Sequence, residues 1–387
     1  MRGVTCVLAS AAVGGSLLAA CTTDDGPPGH EKRDVAAPAP DAGSVFLPES
    51  SGGSDFPFEP LPFDEAPSML TVVGERSVYA VLGSANRLWL RTGSIYYEGH
   101  RWGPVAKLER DGPAFTSLHG YTIPGAVFPR VYVAHSDASL RPVAPEGIGP
   151  PVAFCTSPSS CRSTADVVSV VGPADARGAV WMLRDPEGLS FYVEESPARF
   201  VRSALAPLSG VSRVLSLTDD PPGIAAALER DGAWSLVRLA ADAASVREEL
   251  ALPEGHDYVQ LARGADVSFG DHEPDALHVL VAGTAGGEAA LEIAGGAISL
   301  SWRWRGTVPA GTSWYGRGYP PSSTAPRASC LLAGGELVCR TRLDREPDRA
   351  SDVLAACHSR MHLFSLEEAD AGGYVARVQA YYGPLFP

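Results

Sequence analysis

The chain of 387 residues has little positive charge. It carries 31 lysine and arginine residues against 45 aspartate and glutamate residues, which gives a formal net charge of −14. Only two residues, Lys32 and Lys107, are lysines, and no basic run is interleaved with aromatic residues. Because nucleic-acid binding depends on cationic side chains that neutralise phosphates, the sequence excludes a nucleic-acid partner.

The motifs of several enzyme and metal-binding classes are also missing. The sequence contains no GxSxG nucleophile elbow, no GxxxxGK[ST] phosphate loop and no HExxH zinc motif. The run GTSWYG at 311–316 has the wrong spacing for an elbow, and no cysteine pair forms a CxxC knuckle. We therefore predict no catalytic, cofactor-binding or metal-binding residue, and no cofactor.

The N-terminal segment has the pattern of a secretory signal. Arg2 supplies a positive charge, and residues 3–20 form an uncharged, apolar stretch that is short for a membrane span. This stretch ends in Leu18-Ala19-Ala20-Cys21, which resembles the bacterial lipobox. The resemblance implies that residues 1–20 are a lipoprotein signal peptide and that Cys21 is lipidated. The alternative is an ordinary secretory signal with a chance cysteine.

Lipidation of Cys21 would also set the location of the protein. Two or more acyl chains, such as palmitate, hold a protein stably on a membrane, whereas one chain holds it only marginally. In Gram-negative lipoproteins an aspartate directly after the lipidated cysteine signals retention in the inner membrane, and here Thr22 follows instead. The resemblance therefore implies an outer-membrane lipoprotein of the cell envelope, facing either the periplasm or the outside.

An exported chain keeps its disulfides, and five cysteines remain beyond Cys6 and Cys21. These are Cys155, Cys161, Cys330, Cys339 and Cys357. The first two bracket a turn-rich loop and could close a small ring. The next two flank Gly334-Gly335, and a tight hairpin turn there would bring them face to face. We predict a disulfide in each pair, which leaves the fifth cysteine free or bridged to a partner.

The chain divides by composition into a tether and a folded body. Residues 21–66 are rich in proline, glycine, serine and acidic residues, and no apolar periodicity persists in them. Such a segment cannot bury enough apolar surface to offset its conformational entropy. We therefore predict a disordered tether over residues 21–66 and a single folded domain over residues 67–387.

The folded domain shows an all-β pattern. Units of strand, tight turn and strand recur about every 45 to 60 residues, which is typical of a β-propeller. The clearest units are 178–193, 223–238, 277–293 and 330–339. We predict a β-propeller of six or seven four-stranded blades, similar at the level of the fold to propeller-bearing bacterial lipoproteins. Paired β-sandwiches are the alternative fold, and residues 240–250 and 348–357 are predicted to be helical insertions.

Two groups of polar residues have spacings compatible with a metal site. His272, Asp275 and His278 have a spacing that a loop could fold around a cation, but a solvated acidic loop explains them more simply. His358 and His362 would share a face of a helix at i, i+4. Surface histidines beside an odd cysteine explain that pair equally simply. Neither group is therefore assigned as a metal site.

Aromatic residues are concentrated near residue 310. Alternation along a strand would place Trp302 and Trp304 on one face, where they could fill the space between blades. Tryptophan and arginine are also enriched among the few residues that contribute most of the energy of binding. The stretch 311–328, which contains Trp314 and Tyr319, is rich in glycine and proline and is therefore predicted to be an exposed contact loop.

We expect a membrane-anchored extracytoplasmic lipoprotein with a non-catalytic binding or scaffolding role. Its partners would be the membrane, through the N-terminal lipid, and an envelope protein or a glycan. The alternative is an extracytoplasmic enzyme of the lyase or glycosidase type acting on a polysaccharide. That alternative needs acidic residues and histidines from several blades to converge at the propeller axis, which a sequence cannot show.

Overall fold

The computed structural model describes residues 4–8, 19–23, 66–74, 77–96, 99–121, 129–172, 178–263, 276–317, 328–340, 348–359, 362–368 and 374–380. The chain divides into two units, residues 1–39 and 40–387. In the first unit, β1 (Val4–Leu8) pairs antiparallel with β2 (Ala19–Thr23). The predicted tether lies outside the described residues, apart from its first three residues, which belong to β2, and its last, residue 66.

The described residues of the second unit form seven sheets that follow one another along the chain. The first sheet contains β3 (Met69–Gly74), β4 (Ser77–Gly83), β5 (Arg87–Tyr96) and β6 (Gly99–Glu109). The second contains β7 (Phe115–Tyr121), β8 (Arg130–His135), β9 (Leu140–Ala144) and β10 (Gly147–Ile148). The third contains β11 (Ala153–Ser157), β12 (Ser160–Arg162), β13 (Asp166–Val171), β14 (Val180–Asp185), β15 (Gly188–Ser196) and β16 (Arg199–Arg202).

The remaining four sheets complete the unit. The fourth contains β17 (Arg213–Val214), β18 (Thr218–Asp220), β19 (Gly223–Arg230), β20 (Ala233–Ala240) and β21 (Val246–Ala251). The fifth contains β22 (Asp257–Arg263), β23 (Leu277–Ala294) and β24 (Ala297–Val308). The sixth contains β25 (Ser313–Arg317), β26 (Ala328–Ala333), β27 (Glu336–Arg340) and β28 (Asp348–Ala350). The seventh contains β29 (Val353–Ser359), β30 (His362–Glu368) and β31 (Tyr374–Ala380).

The sheets are arranged as a ring. Each sheet has an inner strand, and these are β3, β7, β13, β18, β22, β25 and β29. Neighbouring inner strands lie side by side, and β29 of the seventh sheet lies against β3 of the first. Between the third and fourth sheets the link is a hydrogen bond of 3.1 Å from the Leu217 amide to Ser169 Oγ. The molecule is therefore a β-propeller, as predicted, and not a pair of β-sandwiches.

The second to sixth sheets each pack apolar residues on both faces, and this explains the continuous apolar runs in the sequence. All four residues of 180–183 in β14 are buried. Trp181 packs with Tyr132 and Phe200 between the second and third sheets, whereas Met182 belongs to an apolar cluster between the third and fourth sheets. A sheet packed on both sides needs apolar residues at successive positions, so simple alternation of polar and apolar residues is lost.

The backbone geometry of two hairpin turns explains which residues occupy them. In the turn between β19 and β20, Asp231 and Gly232 have φ of 51° and 80°. In the turn between β26 and β27, Gly334 and Gly335 have φ of 58° and 82°. Two successive residues with positive φ are the requirement of the tight hairpin turn that Asp-Gly and Gly-Gly favour. The turn predicted at Gly334-Gly335 is thus confirmed.

The strand β23 reverses direction within its length. His278 Nδ1 lies 3.1 Å from Glu288 Oε1, although the two residues are ten positions apart. An extended chain of ten residues would span about 33 Å, so the chain must fold back between them. Residues 283–285 are exposed, and Gly283 has φ of 111°. The first half pairs with β22 and the second half with β24.

The two predicted helices are wrong. Residues 246–251 form β21, which pairs antiparallel with β20, and residues 348–357 fall in β28 and β29. Arg238 of β20 and its cross-strand partner Glu248 of β21 form an ion pair of 3.2 Å. Pairing within a sheet has overridden the helix preference of the residues in these segments.

Candidate functional site

A pocket of about 240 Å³ opens at the outer edge of the third sheet. Its wall includes a short hairpin, β11 and β12, which precedes the inner strand of the sheet but is added at its far edge. There β11 pairs in parallel with β16, with Phe154 opposite Phe200. The pocket is thus assembled from segments that are distant along the chain.

A disulfide closes this hairpin. Cys155 and Cys161 are cross-strand neighbours in β11 and β12, and their sulfurs are bonded to each other, as predicted. Cys155 is buried in the core, whereas Cys161 is exposed at the pocket. The bond therefore fixes one wall of the pocket to the body of the third sheet.

The base of the pocket carries a well-held ion pair. Arg162 Nη2 contacts Asp185 Oδ1, and the Tyr192 hydroxyl donates to Asp185 Oδ2 over 3.5 Å. The Asp185 side chain is 9% exposed and that of Arg162 is 39% exposed. Burial and the nearby Asp185 charge raise the pKa of Tyr192, so its phenol remains a hydrogen-bond donor at neutral pH. Burial alone would lower the pKa of Arg162, but the bond to Asp185 raises it overall.

A second ion pair at the pocket is loose. Arg202 Nη2 lies 3.6 Å from Glu187 Oε2, in the turn between β14 and β15. The Glu187 side chain is 73% exposed, whereas that of Arg202 is only 23% exposed. Exposed pairs at this distance contribute little to stability, so Glu187 can leave Arg202 at low cost. The pocket therefore contains one fixed and one displaceable ion pair.

His278, which was weighed as a metal ligand, lies in a closed cluster instead. Its side chain and that of Glu288 are fully buried, with 3.1 Å between Nδ1 and Oε1. The indole Nε1 of Trp304 donates to Glu288 Oε2, also over 3.1 Å. His272 and Asp275 lie outside the described residues, and within the described part of the chain no group of acidic residues, histidines and cysteines could hold a metal ion. This cluster serves the packing of the fifth sheet.

The expectation that Trp302 and Trp304 share a face is wrong. A β-bulge places Glu288 opposite Trp304 and Ala289 opposite Trp302, so the regular alternation is broken between them. Trp302 packs toward the fourth sheet, whereas Trp304 packs with Trp314 toward the sixth. The Arg305 guanidinium covers the Trp302 ring at 4.2 Å. The aromatic residues therefore fill the spaces between sheets. The exposed contact loop predicted over 311–328 is wrong in its first part, because residues 313–317 form β25 and Trp314 is fully buried. Residues 318–327 of that loop lie outside the described residues.

The other predicted residues are placed only in part. His358 lies in β29 and His362 in β30, so the i, i+4 spacing of a helix does not apply to them. Cys330 is disulfide-bonded, and Cys339 is its cross-strand partner in the hairpin. Cys21 lies in β2, and its lipidation remains a prediction.

Polar residues on the inner strands join neighbouring sheets. Arg263 Nη1 of β22 lies 3.1 Å from Asp219 Oδ2 of β18. The Gln260 amide donates to the Trp314 carbonyl over 2.9 Å and accepts from the Trp314 amide over 3.0 Å. These contacts fix the angle between adjacent sheets and so support a rigid ring.

Sequence reasoning missed the pocket. Arg162, Asp185, Tyr192 and Arg202 come from four different strands and form no motif along the chain. The available signals are the spacing of the two cysteines and the Asp-Pro-Glu-Gly turn at 185–188, and both indicate local structure rather than a binding site.

Comparisons with known proteins find only distant likenesses to solved structures. No family model and no curated protein matches the chain. A solved propeller of Dos1 is similar at 14% identity with a TM-score of 0.47, covering 82% of this chain and 78% of that one. BBS1N, solved in complex with ARL6DN, is 14% identical with a TM-score of 0.47, covering 85% and 97%. A protein from Lactobacillus plantarum is 10% identical with a TM-score of 0.41, covering 82% and 86%.

Proposed function

We propose that this protein is a lipid-anchored, extracytoplasmic binding protein without catalytic activity, and that its ligand binds in the pocket at the outer edge of the third sheet. The observation that carries the proposal is the construction of that pocket. A disulfide and the ion pair of Arg162 with the largely buried Asp185 hold its walls, and one charged side chain can be displaced. A site held in place before binding loses little entropy when the ligand arrives.

The surrounding ring supports a binding role. The ion pair of Arg263 with Asp219 and the hydrogen bonds of Gln260 with Trp314 fix neighbouring sheets against one another. The pocket therefore stands on a rigid support. Binding sites on rigid elements keep their geometry better than sites on free loops. A propeller joined to a membrane by residues 21–66 would be held within reach of partners in the envelope.

The anchor is tested by metabolic labelling with a palmitate analogue. We expect the wild-type protein to be labelled and the Cys21→Ser variant to lose the label. Cys6→Ser is the matched control, because Cys6 would leave with the signal peptide and its replacement should not affect labelling. Label retained in the Cys21→Ser variant, or absent from the wild type, would refute lipidation at this residue.

The binding role is tested by photocrosslinking in intact cells of the source organism. A photoreactive amino acid at Ser160, which is exposed at the pocket, should capture a defined adduct. Ala297 at the exposed end of β24 supplies the control position. An adduct from position 160 alone supports the pocket as the site, and identical products from both positions, or none from 160, would contradict it.

A further inference from the structure

We infer that the ligand of this pocket is a small hydroxylated carboxylate, of the size of a six-carbon sugar acid, and that it binds by displacing Glu187 from Arg202. This inference rests on the proposed function, because it names the chemistry of the same site. The charge balance of the pocket, the exposure of Glu187 and the volume of the pocket support it.

The fixed part of the pocket has one positive charge in excess. It contains two guanidinium groups, those of Arg162 and Arg202, but only one well-buried carboxylate, that of Asp185. Asp185 is already engaged by Arg162 and by the Tyr192 hydroxyl. The charge of Arg202 is balanced by Glu187, whose Oε2 lies 3.6 Å from Arg202 Nη2 and whose side chain is largely exposed to solvent.

A ligand carboxylate would be a better partner for Arg202 than Glu187 is. A guanidinium can donate two parallel hydrogen bonds to a carboxylate, which gives a stronger and more directional contact than a single loose one. Arg202 is mostly shielded from solvent, so screening at its guanidinium is weaker than at the exposed Glu187.

The pocket also offers hydroxyl groups and a limited volume. Thr156 and Ser160 are exposed at its wall, and the Thr156 hydroxyl donates only a long bond of 3.3 Å to the Ser160 carbonyl. These groups can exchange hydrogen bonds with ligand hydroxyls. A volume of about 240 Å³ is below the range of about 300–1,000 Å³ typical of drug-sized ligands and suits a smaller molecule.

The test measures the binding of D-glucuronate and of D-glucose, its uncharged counterpart, to the full-length protein in detergent. Saturation-transfer NMR detects weak binding, and titration gives the affinity. We expect glucuronate to bind and glucose to bind at least about tenfold more weakly, since glucose lacks the charged group that Arg202 recognises. Methyl β-D-glucuronide and D-gluconate then separate a terminal sugar acid of a glycan from a free open-chain acid.

Three variants assign the effect to the pocket. Arg202→Gln should weaken glucuronate binding by about tenfold or more, because it removes the anchoring charge. Glu187→Gln should tighten binding by about threefold to tenfold, because it removes the competing carboxylate. Glu195→Gln is the matched control and should leave binding unchanged, since Glu195 is 57% exposed and pairs with Arg199 at 3.0 Å in the same sheet.

Several results would overturn the inference. Equal binding of glucose and glucuronate, unchanged binding by Arg202→Gln, or no gain from Glu187→Gln would each contradict it, as would a lack of glucuronate and gluconate binding to any form. If the crosslink from position 160 is specific while these acids do not bind, only the ligand class is wrong. If both experiments fail, the proposed function fails with it.

Discussion

The fifth and third sheets each contain a cluster of charged side chains, and the two clusters differ mainly in their exposure to solvent. In the fifth sheet, Glu288 is fully buried between His278 and Trp304. In the third sheet, the Glu187 carboxylate is 73% exposed beside the shielded Arg202. A glutamate therefore belongs to a structural cluster in one place and to a candidate binding site in the other. Burial, and not residue type, decides which role a charged group takes.

The largest effect is expected at the buried cluster. Glu288→Ala should lower the free energy of unfolding by about 3–5 kcal/mol, because it removes the carboxylate that pairs with the buried His278 and opens a cavity. Urea unfolding followed by circular dichroism measures the change. Glu292→Ala supplies the control, since Glu292 is exposed on the same strand. A loss at Glu288 no greater than that at Glu292 would show that the buried cluster contributes nothing special.

We expect a smaller loss of stability from the protonation of His119, which is partly buried. Burial lowers the pKa of His119 to about 4, whereas the unfolded chain would titrate near 6.5. Between these values the unfolded state binds a proton that the folded state excludes, so stability falls as pH drops from about 6.5 to about 4. The expected loss is about 1–3 kcal/mol.

The His119→Gln variant isolates this effect. The histidine ring lies 2.8 Å from Ser117 Oγ and packs edge-on against Trp181, and glutamine keeps a polar group without a titration in this range. Unfolding midpoints in urea at pH 7 and pH 5 should differ less for the variant than for the wild type. Equal differences would show that His119 does not cause the acid sensitivity.

Asp185 lies between the two extremes and should give an intermediate result. Asp185→Asn keeps the shape of the side chain but removes the charge that holds Arg162, and we expect a loss of about 1 kcal/mol in the free energy of unfolding. The freed guanidinium should also strengthen anion binding in the pocket. Glu109→Gln, at an exposed pair with Arg87, is the control for stability. A variant that loses stability without any change in anion binding would separate Asp185 from the site.

The smallest effect is expected for Arg213 on the fourth sheet. Its side chain is 52% exposed, pairs with Asp257 at 3.1 Å and lies over the Trp234 ring at 5.2 Å. Arg213→Gln should change the free energy of unfolding by less than about 1 kcal/mol, because solvent and salt screen an exposed pair. Adding salt should reduce the difference from wild type. A loss as large as that for Glu288→Ala would contradict the rule that burial sets the size of the effect.

The propeller could be predicted from the sequence because its signals are local. The turn at Gly334-Gly335 and the ring closed by Cys155 and Cys161 depend on residues that are near in sequence, and both are present. The bulge that separates Trp302 from Trp304 depends on the register of the partner strand, which leaves no mark in the alternation of residues. The fold therefore follows from local patterns, while side-chain placement within the sheets does not.

The candidate site could not be predicted for a related reason. Arg162 and Asp185 meet because β12 is carried to the far edge of the sheet by the pairing of β11 with β16. That parallel pairing departs from the simple order of strands and joins residues that share no motif. A sequence shows which residues are charged, but the added hairpin decides which of them meet.

The contact between β29 and β3 has a consequence for how the chain acquires its structure. Six of the sheets form from neighbouring stretches of chain, and even the third uses only residues 153–202, so each can assemble as soon as its own residues are available. The seam between the last and the first sheet is different, because it joins strands from opposite ends of the domain. Long-range contacts form late, since they require the closure of a large loop. During synthesis, the apolar side of the first sheet therefore stays exposed to solvent, and prone to aggregation, until the seventh sheet has formed.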